Sequence, residues 1–179
     1  PSCGSFQSRK TAKFATETYF DEGLNRTHKR VKQVPVIVVG KDGKEKIQRS
    51  PNEYDIELLK KIEDTKIDKW YPIEALPDGL KTRDPKAREV YYAHQFYTKR
   101  TLIALSKLYS EIESSKYSFA LRFMFTSLLN LISKRNRVQA RNPYSRGQGV
   151  LNLTLVLPPF PTEASLLEML DMRLLSIIK

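Results

Sequence analysis

The stretch YTKRTLIALSKLYSEIESSKYSFALRFMFTSLLNLIS, residues 97–133, decides the fold. In its first half Leu102, Ile103, Leu105, Leu108, Tyr109 and Ile112 recur at helical spacing, which predicts an amphipathic helix over 98–113 with Thr98 as its N-cap. The second half is apolar on most faces (Phe119, Leu121, Phe123, Met124, Phe125, Leu128, Leu129, Leu131, Ile132) and predicts a core helix over 116–133. Upstream, Ser50-Pro51-Asn52-Glu53 reads as a helix start: Ser50 caps, Pro51 suits the first helical position and Glu53 completes a capping box. That helix is expected over 51–66 and has an acidic face of Glu53, Asp55, Glu57, Glu63 and Asp64.

The β-branched run 34–39, the turn Gly40-Lys41-Asp42-Gly43 and the run 44–49 predict a β-hairpin, with Pro35 placing its first strand at an edge. Residues 150–157 alternate as a strand and are stopped by Pro158-Pro159, after which 162–178 reads as an amphipathic helix. Residues 67–85, rich in proline and turn residues, form a long connection of the kind that often faces a partner. Residues 5–30 hold no sustained period. The expectation is therefore a basic N-terminal arm over 1–33 and a mixed α+β domain over 34–179, three to four helices packed with a small, mostly antiparallel sheet.

A chain of 179 residues, 40% hydrophobic, is long enough to bury a core without disulfides. Its formal charge of +11 favours a polyanionic partner. A single cysteine, Cys3, excludes an internal disulfide framework and fits a reducing cytoplasm. No apolar run reaches the length of a membrane span. The chain opens on Pro1 rather than Met and is expected to be part of a longer protein. Pro1-Ser2-Cys3-Gly4 would be the second half of a zinc knuckle if one more cysteine preceded it; with one thiol no metal site is expected here.

Catalytic parts are scarce. Neither His28 nor His94 has a nucleophile in a recognisable context, and His94, beside Tyr91, Tyr92 and Phe96, reads as a packed or capping side chain. Arg146-Gly147-Gln148-Gly149 does not join a strand to a helix in the order that cradles phosphate. No catalytic or cofactor-binding residue is expected in this chain.

Charge is distributed far less evenly. Between Glu113 and Glu163 there is no acidic residue, yet the stretch carries Lys116, Arg122, Lys134, Arg135, Arg137, Arg141 and Arg146. Five of these seven cations crowd into 134–146 among Asn136, Gln139, Asn142 and Tyr144. Like charges repel and each guanidinium needs an acceptor, so a run of one sign points to acceptors supplied from outside. Lys134, Arg135, Arg137, Arg141 and Arg146 are candidates for phosphates. Asn136, Gln139, Asn142 and Gln148 have the amide geometry to read bases, and Tyr144 offers a stacking face. Lys81, Arg83, Lys86 and Arg88 form a second basic patch. Lys99 and Arg100 either complete it or are buried partners of the fold.

Trp70-Tyr71-Pro72, Leu76-Pro77-Asp78-Gly79, Thr82-Arg83, then His94-Gln95-Phe96-Tyr97-Thr98-Lys99-Arg100 with Leu102, Leu105 and Ser106, follow one another in a distinctive order. Downstream come Ser133-Lys134, Asn136-Arg137, the run 149–158 (GVLNLTLVLP) and Glu163. Over residues 67–165 this series resembles a block of adenine-specific DNA methyltransferases of bacteria and archaea. The resemblance implies the inserted region between the element that binds S-adenosylmethionine and the catalytic Asp-Pro-Pro-Tyr/Phe element. Neither element is present. Asn142-Pro143-Tyr144 lacks the second proline of the catalytic tetrad, and Leu153-Thr154-Leu155-Val156 stands where the family favours Gly-Thr-Leu-Tyr. The chain alone is expected to be inactive and to hold no cofactor, with S-adenosylmethionine belonging to the parent enzyme. Its expected partners are double-stranded DNA and the rest of the methyltransferase. The alternative is a protein-docking or scaffold module of a restriction-modification system, its cations facing acidic protein.

Overall fold

The computed structural model describes residues 13–138, 150 and 155–178. In chain order these form β1 (Thr16–Asp21), β2 (Arg26–Val31), β3 (Val38–Asp42), β4 (Glu45–Arg49), α1 (Glu53–Asp64), a short α2 (Arg83–Lys86), α3 (Lys99–Ser114), α4 (Ser118–Leu129) and α5 (Leu166–Ile178). The class is α+β as expected, but the strands make two separate antiparallel pairs, β1–β2 and β3–β4, rather than one small sheet.

α3 begins where its sequence places it. Thr98 is extended, its hydroxyl accepts the Thr101 N–H at 3.2 Å, and one face buries Leu102, Leu105 and Ile112. α4 and α5 pack on that face: Leu105, Leu128, Ile132 and Met169 form the main core, flanked by Tyr97, Leu108, Phe125 and Leu170. Val90, Phe96 and Leu157 form a second, smaller core, and Tyr97 touches both. α4 departs from the expected core helix. It buries only Met124 and Leu128, while Phe119 is 89% and Phe123 78% exposed, and it ends at Leu129 rather than at 133.

α1 is capped by Asn52, not Ser50. The Asn52 Oδ1 accepts the Asp55 N–H at 3.1 Å and the Asp55 carboxylate accepts the Asn52 N–H at 2.8 Å, a reciprocal pair that Ser50 and Glu53 do not make. The β3–β4 hairpin lies further along the chain than the expected 34–39 and 44–49. Gly43 (φ 58°) and Lys44 make a two-residue turn with glycine leading, which pairs Asp42 with Glu45 and puts Gly40 inside a strand opposite Ile47. Residues 155–157 are irregular, and the rest of the strand expected over 150–157 lies mostly outside the described residues.

The stretch expected as an arm holds a hairpin. Threonines and Val31 supply the strands, and the turn Glu22-Gly23-Leu24-Asn25 closes them with Asn25 at φ 50°. Gly23 lets Tyr71 and Ile73 close on the turn, since a Cβ there would lie 2.6 Å from the Tyr71 hydroxyl oxygen and 2.9 Å from Ile73 Cγ2 and would have to displace them.

Leu128 is 0% exposed, so Leu128→Ala is expected to destabilise the fold by about 2–5 kcal/mol. Phe123→Ala, on the bare side of the same helix, should change stability by no more than about 0.5 kcal/mol. Denaturant unfolding of both variants checks this, and equal losses would contradict the packing described.

Candidate nucleic-acid interface

The segment 133–138 leaves α4 and runs between the turn at 93–97 and the stretch 160–163. The Lys134 N–H donates to the Phe96 carbonyl at 2.8 Å, the Thr162 N–H donates to the Asn136 carbonyl at 2.9 Å, and Arg137 bridges Pro161. This rail fixes where the chain departs toward residues 139–149. The return is fixed by Leu157, whose N–H donates to Asp84 Oδ2 at 3.0 Å, so α2 stands beside the returning chain. Arg83 opens α2, is exposed, and has no ion pair among the described residues.

The predicted binding residues divide accordingly. Gln139, Arg141, Asn142, Tyr144, Arg146 and Gln148 lie outside the described residues. Asn136, expected to read bases, is 2% exposed, and its amide nitrogen donates to the carbonyls of Asn130 (2.9 Å), Leu131 (2.6 Å) and Ser133 (3.2 Å). It satisfies the chain leaving α4 and presents no edge to a base. The Lys134 Nζ donates to the Gln95 carbonyl at 3.1 Å, and burial, with the nearby Arg30 charge, pushes its pKa down to about 8. It faces the protein's own backbone rather than a phosphate. Arg135 donates to Asn130 Oδ1 at 3.0 Å, and burial lowers its pKa. Arg137 keeps a buried Nε with no acceptor among the described residues.

Lys99 and Arg100 are partners of the fold. Lys99 pairs with Glu22 at 3.0 Å, and Arg100 with Glu163 at 2.9 Å. Glu163 also accepts the Thr98 hydroxyl at 2.7 Å and the Thr101 hydroxyl at 3.2 Å, holding the start of α3 to the chain ahead of α5. Glu113, at the other end of the acid-free run, is taken by Arg122 through contacts of 2.6 and 2.7 Å. Both carboxylates flanking the basic run are therefore engaged elsewhere, and neither neutralises Arg137. In the second patch Lys86 pairs with Asp78 and Arg88 with Asp84, which leaves Lys81 and Arg83 as its exposed cations with no ion pair among the described residues.

His94, read from the sequence as a packed or capping side chain, is packed in a polar cluster whose other members were not expected. Asp21 is 3% and His94 5% exposed, and Nε2 of His94 lies 2.8 Å from the Asp21 carboxylate. Tyr19 donates to the same oxygen at 3.0 Å, and the Leu24 N–H reaches the other at 3.3 Å. The Gln95 side chain donates through Nε2 to the Tyr19 hydroxyl at 3.0 Å, while its Oε1 accepts the N–H groups of Tyr91 and Tyr92. Burial alone would raise the Asp21 pKa, but the hydrogen bond and charge of His94, helped by Tyr19 and Leu24, bring it down to about 2. The alternation of Thr16, Thr18, Thr27 and Val31 around the Glu22-Gly23-Leu24-Asn25 turn was the local signal for the hairpin that carries Asp21.

Among the described residues there is no cluster suited to a metal ion, and no helix is long and apolar enough to cross a membrane. No protein-family model matches the chain, and neither a curated protein nor a solved structure matches it.

The pH dependence of the Asp21 cluster has a definite sign. A folded pKa of about 2 lies below the ordinary value of 3.8, so its stabilisation is complete above about pH 4 and is lost as pH falls toward 2. Asp21→Asn is expected to cost about 1.5–3 kcal/mol at pH 7, the range for a hydrogen bond to a charged group, with the deficit shrinking toward pH 2. Denaturant titrations at pH 7, 4 and 2 check this; a deficit that does not change with pH would contradict it.

Proposed function

We propose that this chain is a DNA-binding, target-recognition-like insertion domain of an adenine-specific DNA methyltransferase. It holds duplex DNA while the parent's S-adenosylmethionine-dependent centre, outside this chain, methylates the extruded base in the cytoplasm. The observation that carries the proposal is the acid-free run between Glu113 and Glu163, with both flanking carboxylates engaged inside the fold. Arg83 and Arg137 stand at the return and the departure of the stretch that carries Arg141 and Arg146. Base extrusion needs something to grip the distorted duplex, and cations such as Arg83 and Arg137 held at fixed points of the fold suit that task. The order of the motifs from Trp70 to Glu163 supports the family, and the absence from the sequence of both catalytic elements supports an inserted region rather than a complete enzyme.

A second reading, a docking module of a restriction-modification system, is favoured by one observation. Phe119 and Phe123, one helical turn apart, lie exposed along α4, an apolar face suited to protein. The two readings coexist if that face meets the rest of the methyltransferase chain.

The test is fluorescence anisotropy on a labelled DNA duplex across a potassium chloride series. Binding with a steep salt slope is expected, and Arg137→Glu with Arg141→Glu should weaken it about tenfold or more. No binding at low salt would overturn DNA holding in favour of the docking module.

A further inference from the structure

Trp70, the only tryptophan of the chain, is 59% exposed. Its ring is nevertheless held. It leans on Tyr109 of α3 with centroids 5.0 Å apart and planes inclined by 43°, and Tyr109 leans in turn on Phe125 of α4 at 5.4 Å. Phe125 flanks the main core, so three rings run from the core to the surface and end on the indole. Rings at these separations attract one another, which removes part of the freedom of the indole before any ligand arrives.

The surroundings decide what such a ring suits. A tryptophan that anchors a protein partner sits in an interface core depleted of charge. The residues leading to Trp70 are the reverse: Thr65, Lys66, Asp68 and Lys69 are all exposed, and only Ile67 is half-buried. Neither Lys66 nor Lys69 has an ion pair among the described residues. Asp68 is the one acid of the segment 65–70. Glu113, the carboxylate that sits against Tyr109, is taken by Arg122 through contacts of 2.6 and 2.7 Å. An open aromatic face with cations beside it is the arrangement that stacks a nucleobase and meets its phosphates.

We propose that Trp70 is a stacking platform for an unpaired nucleobase, with Lys66 and Lys69 beside the phosphates of the same strand. This rests on the DNA-holding reading above and names the part of a distorted duplex that the platform takes. A base drawn out of the stack leaves its partner without a pair. The flat face of that partner base is then open, and stacking on the indole covers it. The platform reads no sequence, since every base has a π-face, and it uses none of the cations of the basic run.

The experiment uses the full chain and two DNA duplexes of equal length, one fully paired and one with a central abasic site that leaves the opposite base unpaired. Their phosphates are equal in number, so the salt-dependent part of binding is the same for both. The wild type is expected to bind the abasic duplex about tenfold more tightly, the worth of one stacked base. Emission from Trp70, the sole tryptophan, should be quenched by the abasic duplex and not by the paired one, a readout that needs no variant. Trp70→Leu should lose the preference and keep the wild-type affinity for the paired duplex, and Trp70→Phe should keep part of the preference. The platform is overturned, with DNA holding left standing, if the wild type binds both duplexes equally with unchanged emission, or if Trp70→Leu keeps the preference. A wild-type chain that binds neither duplex at low salt overturns both.

Discussion

Asp21 places a carboxylate where water does not reach, and a large part of the chain is arranged to answer that charge. Its own strand supplies Tyr19, the turn supplies the Leu24 N–H, and a segment far along the sequence supplies His94. Gln95 then joins Tyr19 to the backbone at Tyr91 and Tyr92. An isolated buried charge is expensive, so these partners are a condition of the hairpin lying where it does. Once it lies there, Glu22 can reach Lys99 and Arg30 can bridge Glu17 and Glu63. The position of α3, and through the Lys134 contacts to Gln95 and Phe96 the position of the rail, is referred back to the same charge.

A net effect on the surface follows. Several of the acids are spent on the fold: Asp21 on His94, Glu163 on α3, Asp55 on Arg49, Glu113 on Arg122. Each of these acids takes a basic side chain with it, while Lys81 and Arg83 stand exposed at and just before α2 with no ion pair among the described residues.

What could be read in the sequence was what is local. The start of α3 was legible because the Thr98 hydroxyl oxygen accepts the Thr101 N–H within one turn. The start of α1 was misplaced at Ser50 because serine also suits a cap, whereas only Asn52 has a reciprocating carboxylate, Asp55. α4 misled because apolar residues all round a helix suggest burial without saying what covers them, and the side bearing Phe119 and Phe123 is left uncovered. Asn136 misled for a chemical reason, since the amide that suits adenine suits the carbonyls of a terminating helix equally well. The Asp21–His94 pair spans 73 positions, and nothing local to either residue announces the other.

The clasp at Glu163 bears on the order in which the chain can be built. Thr98 precedes its carboxylate partner by 65 positions, an interval of roughly 3–13 s at ribosomal speeds of about 5–20 residues per second. α3 and α4 are both made within that interval, before Glu163 and before Met169 of the main core. The nascent chain therefore holds an unsealed apolar seam until α5 is made.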